Sequence, residues 1–201
     1  MIVVTGATGQ LGRLVTQSLL AKVPASRIVA AVRRPERAAD LAALGVQVRQ
    51  ADYNKPATLG AAFKGAEKVL LISSSAVGQR AEQHFNVIEA AKRAQVALVA
   101  YTSLLHADTS SLGLAAEHQA TEAVLKSSGV PYALLRNSWY TENYLASIPA
   151  ALEHGAYIGS AGQGRIASAP RADYAAAAAQ VLTLDDQAGK LYERERPAAP
   201  P

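Results

Sequence analysis

Thr5-Gly6-Ala7-Thr8-Gly9-Gln10-Leu11-Gly12 is the stretch on which the fold turns. Just before it stands Ile2-Val3-Val4, apolar throughout. Just after it Leu11, Val15, Leu19 and Leu20 recur at helical spacing. The reading is strand, tight turn, helix. In that setting each glycine has a use: Gly6 permits the turn, Gly9 lets backbone approach a pyrophosphate, and Gly12 lets helix and strand pack closely. The helix N-terminus adds free N–H groups and the positive end of its dipole. Thr8 and Gln10 add polar contacts. Gly6, Ala7, Thr8, Gly9, Gln10 and Leu11 are therefore the expected dinucleotide cradle.

Outward from the turn, apolar β-branched runs alternate with helical patterns. Strands are expected at 28–32, 46–49, 68–72, 98–102 and 132–135. Helices are expected at 35–44, 56–63, 79–94 and 114–127, several of them stopped by glycine. Strands that are apolar throughout and separated by helices predict a parallel sheet covered on both faces. The fold class is α/β, a Rossmann-type doubly wound sheet with right-handed crossovers.

After Arg136 the rhythm changes. A helix is expected over 140–154, then a glycine-rich stretch over 159–164 and an alanine-rich helix over 172–182. Residues 193–201 read as a charged, proline-rich, unstructured tail. The expected organisation is a dinucleotide-binding core over 1–136, substrate-side segments and a sheet-completing helix over 137–192, and the tail.

Composition narrows the function. The chain has 201 residues, enough for one α/β domain. It has no cysteine, which removes disulfides, thiolate catalysis and zinc–thiolate sites and suits a cytoplasmic setting. No spacing of His with Asp or Glu suggests a metal site. The net charge is +4, but the basic residues are scattered and the densest clusters are the pairs Arg33-Arg34 and Lys92-Arg93. No stripe or arm exists to track a phosphate backbone, so no nucleic-acid partner is expected. No apolar run approaches the length of a membrane span, and no secretory signal is read at the N-terminus.

The end of the second strand selects the dinucleotide. A carboxylate there would bond both ribose hydroxyls, but the strand ends in Arg33-Arg34 and the first carboxylate is Glu36. A guanidinium can pair bidentately with a 2′-phosphate and stack on adenine. Arg33 thus favours NADPH over NADH; the alternative is a solvated surface pair. Asp52, after the third strand, can accept from the adenine amino group or serve a turn. Ser73, Ser74 and Ser75 follow the fourth strand at the carboxyl edge, where ribose or diphosphate is expected, although serines also cap helices.

Thr5 to Gly12, Val48-Arg49-Gln50-Ala51-Asp52-Tyr53, Leu70 to Ser75, Ala100 to Ser110 and Leu134 to Leu145 carry a resemblance to the NmrA-like atypical short-chain dehydrogenases. Within them the chain looks most like the quinone-reducing members, with dye reductases more distant. The resemblance implies NADPH contacts at Gly6 to Leu11, at Arg33, at Ser73 to Ser75 and along Asn137, Ser138, Trp139 and Tyr140. It implies two-electron reduction of a quinone, with the nicotinamide near Asn137 to Tyr140. Tyr140, Tyr144 and Trp139 are candidates for the apolar wall around the acceptor, or else ordinary core. A dye or azo compound is another flat aromatic acceptor that would suit.

Two departures stand out. Typical short-chain dehydrogenases use a Tyr-x-x-x-Lys pair, whereas Leu114 and His118 occupy those positions here. A quinone needs less help than a carbonyl, since its ring is electron-poor and water can supply protons. His118 can supply a proton or orient the nicotinamide if it titrates near neutrality, or it is a helix-surface histidine. His84, His106 and His154 show no partner pattern. The second departure is that the resemblance ends near Tyr192. The substrate lobe is therefore expected to be small and truncated, leaving an exposed apolar patch open to homodimer formation or aggregation. The missing tyrosine and short lobe also leave room for a non-enzymatic NADP(H)-binding regulator of the same family.

Overall fold

The computed structural model describes residues 1–160, 162–164 and 166–193. The chain alternates from the start: β1 (Ile2–Thr5), α1 (Gln10–Leu20), β2 (Ile28–Val32), α2 (Ala39–Ala43), β3 (Gln47–Gln50), α3 (Pro56–Ala62), β4 (Lys68–Leu71), α4 (Arg80–Arg93), β5 (Leu98–Leu104), α5 (Ala115–Ser128) and β6 (Tyr132–Asn137). Then come β7 (Trp139–Tyr140), α6 (Ile148–His154), β8 (Ser168–Ala169), α7 (Arg171–Thr183) and β9 (Leu191–Glu193). The main sheet is parallel, with seven strands in the order β3-β2-β1-β4-β5-β6-β9. Strand order reverses between β1 and β4, which opens a crevice at their carboxyl ends.

Along β1, β2, β4, β5 and β6 side chains alternate between faces, and both faces are buried. Ile2, Val4, Ile28, Ala30 and Val32 meet α1 and α7 through Val15, Leu19, Ala175, Ala178 and Leu182. Val3, Val29, Ala31 and Val69 meet α3, α4 and α5 through Leu59, Phe63, Val87, Ile88 and Leu125. Double-sided burial is why the strands read as unbroken apolar runs. The small Ala175, Ala178 and Ala179 bring α7 close to the sheet beside α1.

Three expectations are corrected. The helix expected over 35–44 is a 3₁₀ turn, Pro35–Ala38, followed by the five residues of α2. Only Ala38 and Leu41 are buried there, too narrow a stripe to hold a longer helix. The helix expected over 140–154 is divided. Trp139 and Tyr140 pair with β8, a 3₁₀ stretch covers Thr141–Ser147, and α6 starts beside Pro149, whose missing N–H cannot continue a preceding helix. Finally, Glu193 does not open a tail but ends β9; residues 194–201 lie outside the described residues.

Several large apolar side chains late in the chain are uncovered. Leu145, Ile148, Leu152, Tyr157, Ile158 and Ile166 all stand open to solvent, Ile158 to 92%.

Candidate cofactor and acceptor site

The glycine turn has the form the sequence requires. Gly6 adopts φ +59°, and the Gly9 N–H donates to the Gly6 carbonyl at 2.9 Å. A Cβ on Gly12 would stand 2.4 Å from the Gly6 oxygen, so helix and turn touch there without room for a methyl. Arg13 N–H closes the first turn onto the Gly9 carbonyl, which leaves the N–H groups of Gln10, Leu11 and Gly12 without intrahelical partners. Gly9, the N-cap, has no side chain to satisfy them, and no acidic residue stands in the first turn. The helix thus presents free donors and an uncompensated dipole to an anion, which is what a pyrophosphate needs.

At the switch point, the Thr5 side chain replaces the ladder where β1 and β4 part. Its hydroxyl lies 2.8 Å from the Leu70 carbonyl and accepts the Ile72 N–H at 3.1 Å. The Tyr53 hydroxyl is 2.5 Å from the same oxygen and 2.9 Å from the Ile72 carbonyl. Burial pushes the Tyr53 hydroxyl far above its ordinary titration range, so it is a neutral phenol throughout.

Arg33 and Arg34 are exposed just past β2, and their guanidiniums bond to no other described residue. Asp52 is engaged in a turn: its carboxylate accepts the Asn54 N–H at 3.0 Å.

The serine loop after β4 is held mostly by its backbone. Ser73 N–H donates to Thr102 Oγ1 at 2.9 Å, and Ser74 N–H donates to His84 Nε2 at 2.9 Å. Arg80 Nε donates to the Ser74 carbonyl at 2.6 Å. The Ser74 hydroxyl accepts the Ala76 N–H, so the side chains of Ser73 and Ser75 alone remain uncommitted among the described residues.

His118 is neither a surface histidine nor one poised near neutrality. It is 4% exposed, with Nδ1 at 2.7 Å from the Tyr101 hydroxyl. Burial, aided by the Arg80 charge, lowers its pKa to about 4, so the ring is neutral at pH 7. Leu114 lies at the N-terminal boundary of α5, partly exposed.

Beyond the sheet edge, β5 and β6 run on together to Leu104 and Asn137 and carry the second half of the site. Asn137 Nδ2 donates to the Tyr140 hydroxyl at 3.1 Å. The Ser138 hydroxyl donates to the Ala167 carbonyl, and Trp139 packs edge-on against Tyr144. The Arg171 guanidinium lies 4.7 Å from the Tyr140 ring centre and donates to Asn143 Oδ1 at 2.7 Å. The Glu142 carboxylate accepts the Arg171 N–H and so caps α7. A cavity of about 690 Å³ opens here, lined by Gln10, Trp139, Glu142, Asn143, Leu145, Ala146 and Arg171. It joins the cradle, through Gln10, to the segment expected at the acceptor. Trp139 lines it; Tyr140 packs instead against Tyr174 and the core, and neither it nor Tyr144 is among the lining residues.

Arg80 and Arg171 escaped the sequence reading, Tyr53 and Thr102 entered it only within the resembling stretches, and His84 was read as having no partner pattern, which its two ring hydrogen bonds overturn. His84 had a usable signal. It shares a helical stripe with Val87, Ile88 and Ala91, all buried, so a polar ring at that spacing must find partners inside. Among the described residues no group of three or more His, Asp or Glu could hold a metal.

Residues 6–185 match the NAD(P)H-binding family. The chain is 65% identical over 193 residues to quinone oxidoreductase 2 of Escherichia coli K12, covering 96% of this chain and 68% of that protein. The crystal structure of an E. coli NADPH-dependent quinone oxidoreductase with NADPH superposes with a TM-score of 0.94 at 65% identity, over 97% of this chain and 69% of that one. The triphenylmethane reductase of Citrobacter sp. in complex with NADP(H) also gives 0.94, at 44% identity, over 98% of this chain and 70% of that one.

Proposed function

This chain belongs to the NAD(P)H-binding NmrA-like family, and on that premise we propose that it is an oxidoreductase that uses NADPH to reduce quinones. The observation that carries the reading is the 65% identity, over nearly the whole chain, to an NADPH-dependent quinone oxidoreductase of the same fold. The uncapped N-terminus of α1 and the unpaired Arg33 fit a dinucleotide with a 2′-phosphate.

In this reading the N–H groups of Gln10, Leu11 and Gly12 bind the pyrophosphate and Arg33 binds the 2′-phosphate. Ser73 and Ser75 offer hydroxyls to the ribose. Asn137, with its amide nitrogen engaged by Tyr140, keeps its amide oxygen for the nicotinamide carboxamide. Trp139 bounds the cavity in which a flat ring can lie. When bound, NADPH supplies a hydride, which together with one proton converts a quinone to its hydroquinone. In this reading that proton comes from water, since His118 is buried, engaged by Tyr101 and neutral, with a pKa lowered to about 4. Asp52 holds its turn and leaves one carboxylate oxygen toward the adenine end.

No described helix is long and apolar enough to cross a membrane. We place the enzyme in the cytoplasm, as a homodimer joined through Leu145, Ile148, Leu152, Tyr157, Ile158 and Ile166. A single monomer-sized boundary in sedimentation velocity would dismiss the dimer.

The test of function is NADPH absorbance at 340 nm with a panel of benzo- and naphthoquinones. The expected result is NADPH loss only when a quinone is present. Tight NADPH binding with no turnover on any quinone would refute the enzyme and favour a regulator.

A further inference from the structure

We propose that His84 is a positioning residue: it holds the Ser74 peptide so that the serine loop meets the nicotinamide half of the dinucleotide. The inference rests on the cofactor reading above. His84 is fully buried in α4, yet both ring nitrogens are used. Nε2 accepts the Ser74 N–H at 2.9 Å, which fixes the proton on Nδ1. Nδ1–H then donates to Thr121 Oγ1 at 2.9 Å, and that hydroxyl donates onward to the Glu117 carbonyl. The ring packs edge-on between Tyr53 and Tyr101, with centroids 6.2 and 5.3 Å away.

The next peptide is held too. Arg80, also buried, donates from Nε to the Ser74 carbonyl, and its Nη1 lies 3.2 Å from Glu117 Oε2. Glu117 Oε1 accepts the Gly78 N–H at 2.9 Å, where the loop returns to α4. One residue, Ser74, is thus gripped at its N–H and at its carbonyl, in the two successive peptides that flank its Cα, by two buried side chains of α4, each anchored to α5. A loop that served only as a connection would need no such grip. The loop leaves β4, on the far side of the switch point from β2 and β3. It therefore faces the nicotinamide half, whereas Arg33 faces the adenosine half.

Three variants separate positioning from general packing. Gln can place an amide oxygen where Nε2 stood, and so still accept the Ser74 N–H. Asn reaches only the Nδ1 position, and so serves Thr121 alone. Phe keeps the ring packing and loses both bonds. Binding is measured with NADPH and with 2′,5′-ADP, which lacks the nicotinamide half.

His84→Asn and His84→Phe are expected to weaken NADPH about tenfold while 2′,5′-ADP changes less than about twofold. His84→Gln is expected to stay within about threefold of wild type for both. Equal NADPH losses in Asn and Gln, or parallel loss of both ligands, would overturn the proposal. The wild-type protein gives a second measurement that needs no variant: the Ser74 amide is expected to exchange slowly with solvent in the free protein, and fast exchange would also overturn it. The cofactor reading fails separately, if wild type binds NADPH no more tightly than 2′,5′-ADP.

Discussion

Replacing Gly12 by alanine tests whether the cradle owes its shape to helix–turn contact. The added Cβ would lie 2.4 Å from the Gly6 carbonyl oxygen, 2.7 Å from Ala7 Cα and 3.0 Å from the Gly6 carbonyl carbon. All three are backbone atoms of the turn and cannot swing aside. Ordinary contact needs about 3.4 Å, so α1 and the turn must separate by roughly 1 Å. Overpacking of this kind costs about 2 kcal/mol, or roughly 4–8 °C in Tm for a chain of this size. The same shift carries the N–H groups of Gln10 and Leu11 away from the pyrophosphate, and the expected loss of NADPH affinity is about tenfold to a hundredfold. Gly60→Ala is the control. It lies within α3 with nothing within 4 Å of the new Cβ, so it should stabilise by about 0.5–1 kcal/mol and leave binding unchanged. Thermal unfolding and isothermal titration read both quantities. A Gly12→Ala protein with wild-type Tm and wild-type NADPH affinity would refute the contact argument.

Three further outcomes are expected. Arg33→Glu should raise the NADPH Kd about tenfold to a hundredfold and leave NADH little changed, because only the 2′-phosphate loses a charge-assisted bond; equal loss for both cofactors would remove Arg33 from the phosphate site. His84 and His118 are buried neutral, with pKa values lowered from 6.5 to about 3 and about 4. Between those values the unfolded chain binds more protons than the native one. Their stabilising contribution is therefore complete above pH 6.5 and is lost as pH falls toward about 4 for His118 and about 3 for His84. Tm should decline steadily from pH 7 to 5, and a flat profile would contradict the burial. Arg136 and Glu122, each 4% exposed, are joined by two bonds of 3.0 and 2.9 Å, and Arg136 also holds Asp108 and Glu193. Arg136→Met strands a buried carboxylate and should cost about 3 kcal/mol, roughly 6–12 °C in Tm. Adding Glu122→Gln should recover part of that loss in the same melting assay, and an unchanged Tm in the single variant would dismiss the pair as structural.

Much of the cofactor half was legible before any coordinates. The glycine turn declares itself because a positive φ at Gly6 and the methyl-free contact at Gly12 are demands only glycine meets. The central strands β1, β2, β4, β5 and β6 were legible because both faces of the sheet are covered there, which suppresses polar residues along most of each run. The acceptor half was less legible. Residues 140–154 have helical spacing, but none of the side chains in Thr141–Ser147 or α6 is buried, so spacing there reports no packed face. Arg171 gave no local signal because its partners, Tyr140, Glu142 and Asn143, lie about thirty residues away in sequence.

By itself the sequence determined the glycine turn after β1 and the parallel doubly wound sheet, and it pointed to a 2′-phosphorylated dinucleotide. Those features rest on local geometry and on a periodicity that the chain carries within each element. Only the tertiary structure decided the state of the histidines. His118 and His84 become neutral, fully engaged groups because helices from distant parts of the chain bury them against Tyr101, Thr121 and the serine loop. A pKa and a hydrogen-bond partner belong to a site, and a site made of β4, α4, β5 and α5 exists only once the sheet has assembled.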